Sequence, residues 1–208
     1  MRRIGLAYLV VLVAVLTRFL PHLPNFSPVL ASLLFGGAHL KRRDAIWYPL
    51  TLLAASDFAL TTFVYRMRIG PNQSIIWLGF AVVGLIGYWL RTQQNVARIA
   101  MAALAGPTAF FVISNFGVWL GGHGSRMYPV TWDGLVACYA AALPFYRNSL
   151  LATAAYTAVL FGANEIYGRR HNGIVATALA KRCALVSLHS SKVPRTFSYF
   201  FPCLDRLC

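Results

Sequence analysis

The chain has 208 residues, of which 58% are hydrophobic and only 12% charged, with a mean hydropathy of +0.60. A soluble domain carries about twice that charged fraction, so the composition argues against a water-soluble globule and for a membrane protein. Lysine and arginine number 19 against five acids, a formal net charge of +14, but they stand between apolar runs instead of lining one face. That placement favours membrane topology and anionic headgroups as their role, and argues against nucleic-acid binding.

The chain opens on Met1-Arg-Arg and an apolar run over Ile4–Leu20, closed by Pro21-His-Leu-Pro24. This opening resembles a signal peptide, but Arg18-Phe-Leu-Pro-His-Leu-Pro24 offers no small-residue cleavage site, so the pattern predicts an uncleaved first helix. A second span covers Ser27–Leu40. It is short and rich in small residues (Ala31, Ser32, Gly36, Gly37, Ala38), which predicts a thin, tilted or partly re-entrant helix. The third runs from Ala45 to Tyr65, with Pro49 in its first turns, where a proline costs little, and Asp57 near its middle. The fourth, Ser74–Leu90, carries Gly79, Gly84 and Gly87. The fifth, Ile99–Leu120, holds Gly106-Pro107 as an expected kink or break. No charged residue falls between Ile99 and Ser125, a stretch ample for a membrane helix of about 20 residues.

The sixth region, Thr131–Tyr167, is too long for one span and is interrupted by Pro144-Phe-Tyr-Arg147-Asn148. Its first half, Gly134–Leu143, reaches only about half of what a crossing requires, whereas Asn148–Tyr167 is long enough. Charge decides between one crossing and two. If the first half returns without crossing, Arg2/Arg3, Lys41–Arg43, Arg91/Arg98 and Arg169/Arg170 all fall on the cytoplasmic side, as the positive-inside rule asks. Arg66 and Arg68 then lie outside, against the rule. From about His171 the chain turns basic and mixed, with Pro194 and Pro202 barring a long helix. The expected architecture is all-α: a polytopic membrane bundle of about six transmembrane helices over residues 1–170, with one broken or re-entrant half-helix. A basic, poorly structured cytoplasmic tail over 171–208 follows it.

Two places carry candidate chemistry. Asp57 is the only acid well inside a span; it reads either as a proton, cation or solute site, or as a packing group bonded to Ser56, an amide or an arginine. Asn115 and Trp119, four residues apart, share a helical face before the Gly121-Gly-His-Gly-Ser125 loop. Each alone reads as a helix-packing amide or an interface anchor. With Tyr128 and Trp132 they can line a pocket of aromatic and polar groups. Arg147-Asn148 stands between a half-helix and a full span, where unpaired backbone ends can hold a solute or where an arginine simply meets headgroups. The pattern predicts that Asn115, Trp119, Tyr128, Arg147 and Asn148 converge on one outer cavity.

The remaining residues offer little for catalysis. Cys138, Cys183, Cys203 and Cys208 include no CxxC pair, and the five histidines never fall four apart. The glycine-rich loop lacks the Lys-Ser/Thr ending of a nucleotide loop, and no hydrolase or metalloprotease motif occurs. No catalytic residue, metal or cofactor is expected.

Several segments in order carry a resemblance: Arg18-Phe-Leu-Pro-His-Leu-Pro-Asn-Phe-Ser-Pro28, Leu34-Phe-Gly-Gly-Ala38, Ser56-Asp57, Asn115-Phe-Gly-Val-Trp119, Tyr128-Pro129, Gly134-Leu-Val-Ala-Cys-Tyr139 and Pro144-Phe-Tyr-Arg-Asn148. Over residues 15–165 the chain resembles a family of small bacterial membrane proteins regarded as transport proteins. That family is similar in layout to the substrate-binding S components of energy-coupling-factor transporters. The resemblance implies a six-helix bundle in the bacterial inner membrane holding a small-molecule solute near its outer side, and the charge pattern puts both termini on the cytoplasmic side. The resemblance also implies partnership with a transmembrane coupling subunit and cytoplasmic ATPases. One departure is Ala152-Thr153, where the family tends to show Gly-Asp. The expected function is a solute-binding transporter component. The rival is a membrane scaffold or assembly factor using small-residue faces such as Gly84/Gly87 and Ala152/Ala155, and a membrane enzyme comes third.

Overall fold

The computed structural model describes residues 2–20, 24–64, 66, 73–121 and 128–190, with side chains described for all of these except 2–4 and 169–190. Regular structure among them is entirely helical: α1 (Arg2–Leu16), α2 (Val29–His39), α3 (Asp44–Ala59), α4 (Gln73–Trp89), α5 (Val96–Gly121) and α6 (Trp132–Ser190). A 3-10 turn, Thr17–Phe19, extends α1, and a π turn, Leu60–Val64, extends α3. Contacts divide the chain into two units, Met1–Phe161 and Gly162–Cys208. The first holds everything that follows.

Polar side chains cap the starts of α5 and α6. The Asn95 side-chain oxygen accepts from the Arg98 backbone N–H at 2.8 Å, capping α5. Thr131 does the same for α6, its hydroxyl accepting from the Gly134 N–H at 3.2 Å, with Asp133 in the first turn against the helix dipole. Small residues set the packing. Every residue of α2 from Val29 to Ala38 is buried, and α2 touches α1, α3, α4 and α5. A Cβ at Gly37 would stand 2.5 Å from the Gly84 carbonyl oxygen, and one at Gly87 would stand 2.5 Å from that of Leu34. So α2 and α4 cross backbone against backbone, the close approach that small residues permit. The shortness of α2 and its small residues, read as signs of a thin or re-entrant helix, belong to the central helix of the unit.

The half-helix expected over Gly134–Leu143 is corrected. α6 runs through Pro144 without interruption. A proline removes one backbone donor but need not end a helix whose neighbours are anchored. Here Tyr139 donates to the Val112 carbonyl at 2.7 Å, and the Tyr146 hydroxyl meets that of Thr108 at 2.8 Å, so side chains before and after Pro144 fasten α6 to α5. α5 likewise continues through Gly106-Pro107. The helix also extends over 171–190, part of the expected tail; residues 191–208 lie outside the described residues.

One described helix, Val96–Gly121, is long and apolar enough to cross a bilayer by length and composition, and only 22% of its most apolar window is buried. Large apolar side chains face outward elsewhere too, including Leu9 on α1, Trp47 on α3, Leu85 on α4 and Leu151 on α6. The interior is an apolar core that includes Val11, Leu34, Phe35 and Val83, with Ser32, Ser56, Asp57, Ser149, Thr153 and Thr157 buried as well.

Candidate functional site

Where α1 ends, α2 begins, α3 ends and α4 begins, polar side chains gather around Asp57. The 3-10 turn carries Arg18, whose Nη2 lies 2.5 Å from Asp57 Oδ1 while Nη1 donates to Ser56 Oγ at 2.7 Å. Ser56 passes its own proton to the Leu53 carbonyl at 2.8 Å. The other carboxylate oxygen, Asp57 Oδ2, accepts from Gln73 Nε2 at 2.7 Å and Trp77 Nε1 at 2.8 Å. Gln73 and Trp77 are one turn apart and share a face of α4. Asp57 is only 5% exposed, and a carboxylate that deep needs an ion pair and further donors to offset its lost hydration. It has both, from the 3-10 turn and from α4.

Arg18, Asp57 and Gln73 form part of the wall of a cavity of about 390 Å³. Asn25 and Ser27 enter from the segment before α2, Leu60 and Thr61 from the π turn, Phe80 from α4, Phe110 from α5 and Ser149 from α6. Phe80 and Phe110 stack with ring centroids 4.7 Å apart and planes at 21°. Two unusual backbone features border the space. Asn25 has φ of 57°, a left-handed conformation that asparagine tolerates better than most residues. The π turn over Leu60–Val64 is a rare form that recurs at functional sites. A smaller cavity of about 110 Å³ shares Asn25, Phe110 and Ser149 with the first and adds Ser114, Asn115 and Tyr146 between α5 and α6.

The structure places the six expected site residues in different surroundings. Asp57 lines the larger cavity and Asn115 the smaller. The Asn115 amide donates to the Phe111 carbonyl of its own helix at 2.8 Å. Trp119 donates to the Pro129 carbonyl at 3.2 Å, tying the end of α5 to the approach to α6. Tyr128 is half-buried in that approach, and Arg147 is exposed. Asn148 donates to the Pro24 carbonyl at 3.1 Å, and Ser149 reaches the Asn25 carbonyl at 3.5 Å. Asn148 therefore steadies the strained segment that carries Asn25 into the cavity, without lining either cavity itself. Trp119, Tyr128 and Arg147 line neither of them.

Arg18, Asn25, Gln73 and Trp77 are the site residues that sequence reasoning passed over. A signal existed for one of them: Arg18 and Asp57 are opposite charges within or beside two long apolar runs, and such charges need partners. At the opposite end of the unit, Tyr8 donates to the Asp44 carboxylate, and Lys41, Arg42 and Arg43 stand exposed. Arg91 and Arg98 lie over the rings of Tyr88 and Trp89, 4.9 and 4.8 Å from the centroids. Among the described residues no cluster of three histidine, cysteine or acidic side chains can hold a metal ion.

No curated protein and no solved structure matches the chain. A family model does match, over residues 1–179, and it is described as a family of unknown function, DUF6580. With most of its length covered by that model, the chain belongs to the DUF6580 family.

Proposed function

We propose that this protein is a multi-pass membrane protein of the bacterial inner membrane that holds a small polar solute in the cavity beside Asp57, as the binding component of a transporter. The observation that carries the reading is the polar cavity within an otherwise apolar exterior. Its wall bears a guanidinium, amides and hydroxyls, whereas Leu9, Trp47, Leu85 and Leu151 point outward. Such outward apolar groups suit lipid, and interior polar groups at that depth are costly enough to mark a pathway or binding place. A volume near 390 Å³ falls within the range of small-molecule sites, about 300–1,000 Å³.

The charge distribution supports the orientation. Lys41–Arg43, Arg91 and Arg98 cluster at the end opposite the cavity, so the positive-inside rule makes that end cytoplasmic and the cavity external. Both termini are then cytoplasmic, and a coupling subunit with cytoplasmic ATPases is the partner that the layout resemblance brings. The scaffold reading loses part of its support, because Gly87 packs against Leu34 of α2 in the same chain.

The test is to fill the cavity. Cells producing wild-type protein and Thr61→Trp at equal membrane levels are compared by untargeted metabolite profiling. A compound accumulated only with the wild type is expected. Identical profiles would sink the transport reading.

A further inference from the structure

We propose that the cavity receives an uncharged polar molecule, and that Asp57 is a positioning residue which neutralises Arg18 and aims its spare N–H groups at that molecule. The inference rests on the cavity being a solute site and adds the chemical class of the solute. A guanidinium has five N–H donors. Arg18 uses one on Ser56 and one on Asp57, and its side chain remains 22% exposed, so donors are left for the cavity. Asp57 is in the opposite condition. Its oxygens already accept from Arg18, Gln73 and Trp77, leaving little capacity to receive a ligand cation.

The pair is formally neutral, and Asn25, Ser27, Thr61 and Ser149 add no charge to the wall. An anion approaching Arg18 meets Asp57 directly behind it, so attraction and repulsion largely cancel. The loss of the anion's hydration remains uncompensated. A cation meets the same cancellation in reverse. An uncharged amide or carbonyl keeps the hydrogen bonds to Arg18 at a much smaller desolvation cost. Phe80 and Phe110 give such a molecule an aromatic surface, which favours a flat one.

Benzamide, benzoate and benzamidine share one shape and differ in charge, which makes them suitable probes. Equilibrium dialysis of each is run against the full chain in detergent micelles, with empty micelles as the blank. Wild type is expected to bind benzamide about tenfold or more tightly than either charged probe. Asp57→Asn leaves Arg18 unneutralised and should move the preference to benzoate by a similar factor. The double variant Arg18→Gln, Asp57→Asn restores neutrality and should again favour benzamide, more weakly, which keeps the test open if Asp57→Asn alone does not fold. A wild type that prefers benzoate or benzamidine overturns the inference while leaving the cavity a solute site. So does a double variant that favours a charged probe. If none of the three binds, and Thr61→Trp behaves as the wild type does, the reading of the cavity as a solute site falls instead.

Discussion

Asp57 is held by Arg18 from the turn after α1 and by Gln73 and Trp77 from α4, so three elements depend on one carboxylate. Removing either charge strands the other, which costs more than removing both. In a double-mutant cycle, Arg18→Met and Asp57→Asn should each lower the thermal midpoint in detergent, and the double variant should lose less than their sum. The expected coupling is about 1–3 kcal/mol. Strict additivity would show that the two side chains do not act as a pair. Asp57 was legible in the sequence because a lone acid in an apolar run announces itself. Arg18 carried a weaker signal, an opposite charge beside an apolar run, masked because it also reads as a flank of a signal-like segment. Gln73 and Trp77 carry no periodic signal pointing across to α3. Asn115 stood out as an intramembrane amide, yet it satisfies its donor on Phe111 one turn back, an option that every helical asparagine has.

At the level of elements, the α2–α4 crossing gives a sharp contrast between two glycines of one helix. Gly87→Ala puts a methyl 2.5 Å from the Leu34 carbonyl oxygen and 2.7 Å from its Cα, so the helices must part, at about 1–3 kcal/mol. Gly84→Ala meets nothing within 4 Å and should gain about 0.5–1 kcal/mol from reduced backbone freedom alone. Thermal midpoints that move together in the two variants would contradict this crossing. On α6, the Thr153 and Thr157 hydroxyls are buried without a hydrogen-bond partner, so Thr153→Val and Thr157→Val should each raise the midpoint. A fall would mean that the hydroxyls have partners after all. The helix positions were legible because proline, glycine and charge separate the apolar runs, and α2 to α5 begin and end within a few residues of those runs. The continuity of α6 was not. Pro144 is a breaker by local rules, and tertiary contacts such as those of the two tyrosines to α5 override it.

Across the unit Met1–Phe161, a polar cavity set into a largely apolar core and two unlike ends support the reading. The cavity end pairs Arg18 with Asp57 and carries the exposed Arg66; the other presents Lys41–Arg43 with Arg91 and Arg98. Reporter fusions after Arg43 and Arg98 should therefore read cytoplasmic, and one at Pro24 should read external. The reverse pattern would put the cavity on the cytoplasmic side. The central claim is that the cavity beside Asp57 holds a small molecule. Native mass spectrometry of gently purified wild type and Thr61→Trp tests it most directly. A small, uncharged molecule is expected to be retained by the wild type and missing from the filled variant. Equal, bare masses for the two proteins would contradict it.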